Sequence, residues 1–212
     1  FSLSNGKIQF KMDIEFKISK NPVNYKKALM FLEKRVELVK QGGKELVWFL
    51  EHPLTYSAGI RSKKEEILDK SITVIKTNRG GKITLHNQGQ QIVYFVLNLN
   101  KRKKDIRNLV RQIENIIIKF LSIYKVKSNS DEKNVGIWIK DKKVAAIGIR
   151  VSRWIAYHGF SINIKNNLND YKKILPCGLK NEKITSLKNE KKDISNVKKN
   201  LKIIIQENLY KI

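Results

Sequence analysis

One cysteine, Cys177, stands between Pro176 and Gly178, two residues that bend a backbone and can hold a thiol at the head of a tight turn. A structural cysteine sits more naturally among apolar residues inside an element. A nucleophilic one wants a fixed turn near cationic groups, which favour the thiolate. A second set of polar residues runs Arg79-Gly80-Gly81-Lys82-Ile83-Thr84-Leu85-His86-Asn87-Gln88-Gly89-Gln90. It offers backbone amides, a guanidinium and an imidazole. Paired glycines let the backbone approach a ligand closely, and an arginine at a strand edge can hold a carbonyl or phosphate oxygen. A hairpin turn with polar surface residues has the same composition.

Two further segments carry candidates. In Tyr157-His158-Gly159-Phe160-Ser161-Ile162-Asn163, a histidine lies beside a glycine within an apolar strand. Such a histidine is most often a satisfied core residue, and His158 and Asn163 are candidates only for a supporting role. In Lys143-Val144-Ala145-Ala146-Ile147-Gly148 the small residues leave room for a ligand to lie along a strand. Lys143 at its head can partner a thiolate, or can be one more solvent-facing lysine of a basic chain.

Elements must bring these residues together. Ile8, Phe10, Met12, Ile14, Phe16 and Ile18 alternate with polar residues, so residues 1–20 read as an N-terminal strand or an extension. Asn21-Pro22 opens a predicted helix with Leu29, Leu32, Val36 and Val39 at helical spacing, closed by Gly42-Gly43. Strands are predicted over 46–50, 72–75, 92–99, 135–139, 144–151 and 155–164, with a glycine-containing loop between the second and third. A helix over about 104–124 carries the stripe Ile106, Leu109, Val110, Ile113, Ile117, Phe120 and Leu121. Another occupies the C-terminal stretch, 188–212. Strands and helices alternate without a regular βαβ beat. The expected class is α+β, a single domain over 1–212 with a mixed or antiparallel sheet flanked by helices.

Composition sets outer limits. The 212 residues hold no apolar run of the roughly 18 that a membrane-spanning helix needs. One cysteine excludes an internal disulfide framework and a cysteine-built zinc site. Lysine and arginine number 44 against 19 acids, a net charge of +25, which would attract anionic partners or simply solvate the surface. No arginine-rich stripe with interleaved aromatics marks a nucleic-acid groove. A first residue of Phe1 suggests a piece or a processed product, leaving a cytoplasmic setting for a bacterial protein or a plastid or mitochondrial one after loss of a targeting segment.

Taken in order, Arg79–His86, Lys143–Arg150, His158–Asn163, Pro176-Cys177-Gly178 and Ile184-Thr185-Ser186 resemble the lipoyl(octanoyl) transferase family. Glu51-His52-Pro53 and Ser57-Ala58-Gly59 are similar to that family's upstream segment, and the resemblance covers about residues 24–187. It implies a fold shared with lipoate and biotin protein ligases. It also implies an acyltransferase that moves an octanoyl or lipoyl group from acyl carrier protein to a lysine of lipoyl domains, in 2-oxoacid dehydrogenases or glycine cleavage H-type proteins. No cofactor, metal, nucleic acid or membrane is implied, and the enzyme is expected to be a monomer. By position, Cys177 is the acyl-accepting nucleophile and Lys143 the residue that favours its thiolate. Arg79, Gly80, Gly81, Lys82, Ile83, Thr84, Leu85 and His86, with Ala146, Ile147, Gly148, Gly159, Phe160 and Ser161, would line the acyl site. Asn87-Gln88 replaces a Gly-Pro pair, Leu85 an aromatic, Ala156 a hydroxyl residue, and Phe160-Ser161 the usual Leu-Ala. The competing reading is a lipoate protein ligase, which activates free lipoate with ATP and needs no cysteine. Pro176-Cys177-Gly178 favours the transferase. His86 or His158 could serve as base in place of Lys143.

Overall fold

The structure, a computed structural model, describes residues 13–132, 134–176, 183–191 and 193–209. The predicted strand residues before 13, together with Cys177 and Gly178, lie outside the described residues. The longest apolar runs build the centre. Strands β2 (Glu45–Leu50), β6 (Gln90–Asn98) and β10 (Ile155–Asn163) are buried along nearly their whole length, as sheets covered on both faces require. With β1 (Ile14–Ile18), β7 (Asn129–Ser130), β8 (Ile137–Ile139) and β9 (Lys142–Ser152) they form a seven-stranded sheet in the order β1-β2-β6-β10-β9-β8-β7. Within this sheet, among the described residues, only the β1–β2 pair is parallel. Strands β3 (Thr55–Ala58), β4 (Val74–Lys76) and β5 (Ile83–His86) form a smaller sheet in the order β4-β3-β5.

Helix α1 (Tyr25–Lys40) lays Ala28, Leu32, Val36 and Val39 on one face of the large sheet, against Leu46, Trp48 and Val96. Ala28, not Leu29, completes its stripe. It starts at Tyr25 rather than at Pro22, because the Asn24 side chain accepts from Lys27 N at 3.2 Å and so caps it. The opposite face is covered by α2 (Ile106–Ile123) and α4 (Val197–Asn208). Leu109, Ile113, Ile117 and Phe120 of α2 and Leu201 and Ile205 of α4 pack on Val47, Phe49, Phe95 and Phe160. Ile106 is exposed, so the α2 stripe begins a turn later than its sequence periodicity suggests. A short helix, α3 (Leu187–Glu190), precedes α4. No helix among the described residues is long and apolar enough to cross a membrane.

The 79–90 stretch is not one loop. Ile83–His86 is strand β5, and its alternation sends Ile83 and Leu85 into a third cluster with Tyr56, Tyr171 and Ile174, while Thr84 and His86 face the other way. The two sheets meet at glycines. Gly80 N donates to Ile149 O at 3.3 Å, and a Cβ on Gly80 would stand 2.7 Å from that same oxygen. In the large sheet Gly148, Gly159 and Tyr94 lie in one row. A side chain at Gly159 would overlap the Val93 carbonyl. These glycines let backbone approach backbone, and a cleft opens beside them.

Candidate active site

The cleft between the two sheets has a volume of about 330 Å³. Arg79, Gly81, Lys82, Thr84 and His86 form one wall; Ala146, Ile147 and Gly148 with His158, Gly159, Phe160 and Ser161 form the opposite one. The predicted acyl-site residues therefore line the cleft, with three exceptions. Gly80 sits in the seam, and Ile83 and Leu85 are fully buried in the third cluster, because period two in β5 turns alternate side chains away from the cleft. Ile92 and Tyr94 of β6 also line the cleft, with Arg61, Glu132, Asn134 and Val135 at the rim, none of them among the predicted site residues. Tyr94 looks like any other residue of an apolar strand, and the rim residues have no spacing signal.

Arg79 is buried, and its charge faces neutral partners: Nη2 donates to Ser57 O at 2.7 Å and Ser57 Oγ at 2.9 Å, and Nη1 to Gly80 O at 3.0 Å. It forms no ion pair with an acid among the described residues. Its field adds to burial in holding nearby imidazoles neutral. His158 is pushed down to about 3, first by burial and then by Arg79 and Arg150. His86 is held well below the usual imidazole range by burial, by His52 and by Arg79, against the raising effect of its bond to Gln90. His52 falls to about 4 through burial. The tautomers follow from the partners. Val23 O can only accept, so His52 Nδ1 donates to it at 2.5 Å and Nε2 accepts from the Tyr94 hydroxyl at 2.9 Å. His86 Nδ1 donates to Gln90 Oε1 at 2.8 Å.

His158 has φ +68, a left-handed value within a strand. Its register partners Phe95 and Ile149 belong to the α2 face. The unusual backbone turns the ring instead onto Tyr157, with centroids 4.8 Å apart, and toward Tyr94, with Nε2 donating to Asn78 Oδ1 at 2.8 Å. Backbone of this kind costs free energy and persists only where the surrounding contacts hold it.

Asn163 lies behind His86. Its Oδ1 accepts from Gln90 Nε2 at 2.9 Å, and its Nδ2 donates to Thr185 O at 3.0 Å. The loop that lacks the Gly-Pro pair is held by other means. Asn87 Nδ2 donates to Asn167 O at 2.9 Å and Asp170 Oδ2 at 2.8 Å, and Gly89 N donates to Glu51 Oε2 at 2.8 Å.

Lys143, on β9, is 5% exposed. Its ammonium donates to Val135 O at 2.8 Å and lies 5.5 Å from the centroid of Trp138. It lines the large cleft and also a cavity of about 20 Å³ bounded by Thr84, Ala146, Asn163, Pro176 and Ile184. Pro176 and Ile184 flank the segment that contains Cys177, and Lys143 bridges Ile184 in parallel fashion, with Thr185 N donating to Lys143 O at 3.0 Å. Ile184 and Thr185 thus lie beside the lysine, and Pro176 borders the same small cavity.

The chain is similar to known proteins along most of its length. The sequence model described as the lipoyl protein ligase A/B catalytic domain matches residues 24–207. An octanoyltransferase of Ehrlichia chaffeensis is 46% identical over 182 residues, covering 82% of this chain and 85% of that protein. The crystal structure of lipoate-protein ligase A bound with ATP superposes with a TM-score of 0.79 at 17% identity, covering 94% of this chain and 86% of that one. A bipartite lipoate protein ligase of Thermoplasma acidophilum gives 0.76 at 17% identity, covering 94% and 84%. At such identities the structural likeness speaks to the fold.

Proposed function

Since the chain belongs to the lipoyl protein ligase A/B catalytic-domain family, we propose that it is an octanoyltransferase working through a thioester on Cys177 with Lys143 as proton carrier. Octanoyl transfer in protein lipoylation, by an acyltransferase, is the activity of the relatives it matches along most of their length. The donor is octanoyl-acyl carrier protein, and the acceptor is a lysine of a lipoyl domain. The observation that carries the reading is that Pro176 and Ile184, on either side of the Cys177 segment, line the same small cavity as the buried residue Lys143.

The chemistry balances over two steps. The Cys177 thiolate attacks the donor thioester; an Sγ–carbonyl bond forms, the carrier's C–S bond breaks, and the departing thiolate takes a proton from Lys143. The target amine then attacks the acyl-enzyme. A C–N bond forms, the C–Sγ bond breaks, and Lys143 recovers a proton from the amine as the thiolate is regenerated. One thioester replaces another in the first step, so no nucleotide is consumed. Ile92, Ile147 and Phe160 give the cleft apolar wall for the acyl tail, and each methylene buried contributes about 0.8 kcal/mol. The three imidazoles, held neutral and weakly basic, are poor places to store the proton. The enzyme acts as a monomer.

Intact-mass measurement after mixing with octanoyl-acyl carrier protein tests the first step. Wild type is expected to gain one octanoyl group and Cys177→Ser none. A wild type that gains nothing from the carrier, yet modifies a lipoyl domain when given ATP and free octanoate, would make the protein a ligase.

A further inference from the structure

We propose that Gly136 is a positioning residue for Lys143: its missing side chain is the space in which the lysine's end is seated. This rests on the reading of Lys143 as the proton carrier. Gly136 has φ +141, which side-chain-bearing residues rarely adopt. A Cβ built there would overlap Lys143 Cε, stand 3.0 Å from Nζ and come within 2.5 Å of Ala145 O. The residue before it, Val135, supplies the carbonyl that accepts from the ammonium, and Trp138, two residues on, supplies an aromatic face. Backbone 135–136 is therefore both partner and mould for the lysine's end. The Glu114 carboxylate of α2 faces Gly136 N–H from behind. A long, flexible amine placed on an otherwise small-residue strand would wander. A carbonyl on one side and a tight wall on the other leave it one position.

Misplacing a catalytic group by about an ångström costs on the order of 100-fold in rate, and a double-mutant cycle separates that loss from general damage. The rate of Cys177 acylation by octanoyl-acyl carrier protein is measured for wild type, Gly136→Ala, Lys143→Ala and the double variant. The pH dependence of Cys177 alkylation by iodoacetamide is measured alongside. Gly136→Ala is expected to slow acylation by about 100-fold and to move the alkylation profile to higher pH. On the Lys143→Ala background the same change should alter the rate by less than about 2-fold. Equal losses on both backgrounds would overturn the inference and leave Gly136 a purely structural residue. A Lys143→Ala enzyme with near wild-type rate would instead overturn the role of the lysine, and this inference with it. If Gly136→Ala does not fold, Glu114→Ala serves, expected to slow acylation about 10-fold while Glu114→Gln, which keeps an acceptor, stays near wild type. Indistinguishable rates for those three proteins would refute the seat.

Discussion

Two buried histidines and one buried lysine line the cleft, a third histidine packs beside them, and their surroundings divide the labour among them. His52, His86 and His158 lie in apolar or cation-facing positions that resist protonation, which suits them to fixed hydrogen bonds rather than to proton traffic. The sign of the pH effect follows. Each imidazole has its folded-state value depressed, so between that value and about 6.5 the unfolded chain binds protons that the native one refuses. Stability is therefore full above about 6.5 and declines as pH falls, by up to about 1.4 kcal/mol per pH unit for each such histidine. Urea titrations at pH 7.5 and 5 should give a lower unfolding free energy at pH 5, while the imidazole NMR signals of His52 and His158 stay unshifted in the native protein over that range. Native signals that titrate near pH 6.5 would contradict the assignment of these rings as neutral fixtures.

The elements that aim these side chains depend on polar ties as well as on apolar burial. Glu45, opening β2, and Arg102, past the end of β6, are both almost wholly buried and paired at 2.5 Å, with Glu45 also accepting from Asn98 N at 2.6 Å. Removing one partner strands the other charge in a medium that cannot solvate it. Arg102→Ala should lower stability by about 3–5 kcal/mol, read as a shifted urea midpoint with unchanged slope; a change below about 1 kcal/mol would mean that solvent reaches Glu45. Arg102 lies in a basic cluster, and its burial has no sequence signature. Other elements were easier to read. Helix α2 and strands β2, β6, β9 and β10 follow from hydrophobic period alone, because each must bury a continuous stripe or both faces. Strands β3 and β5 did not, since four residues rich in Ser, Thr and His carry too short a pattern to outweigh the glycines around them. The same brevity hid the division within Arg79–His86, where alternate residues serve the cleft and the core beneath it. The wall residues of β9 and β10 were legible through their glycines and small side chains. Tyr94, which anchors His52, was not, because a tyrosine in a buried strand is ordinary until its hydroxyl partner is known.

Seen whole, the protein is a strongly cationic body, +25 over 212 residues, with its cleft rimmed by Arg61 and Lys82. Few of these charges do anything for the fold: of the ion pairs described, only Arg102–Glu45 is buried on both sides, and exposed pairs contribute at most about 1 kcal/mol. Their effect belongs to encounter. Under the proposed function, a positive field around the cleft would raise the local concentration of an acidic carrier or lipoyl domain and turn its thioester or lysine toward the opening. Such steering acts between exposed charges, so it weakens as salt shortens the screening distance from about 10 Å at 0.1 M toward about 3 Å at 1 M. The expected result is a fall of about 10-fold in kcat/KM for octanoyl-acyl carrier protein between about 0.05 and 0.5 M sodium chloride. The rate with octanoyl-pantetheine, an uncharged thioester that occupies the cleft without a protein surface, should change little. If both substrates respond alike, salt is acting on the cleft itself, on Arg79 or the Lys143 seat, and the surface charge has no part in choosing partners.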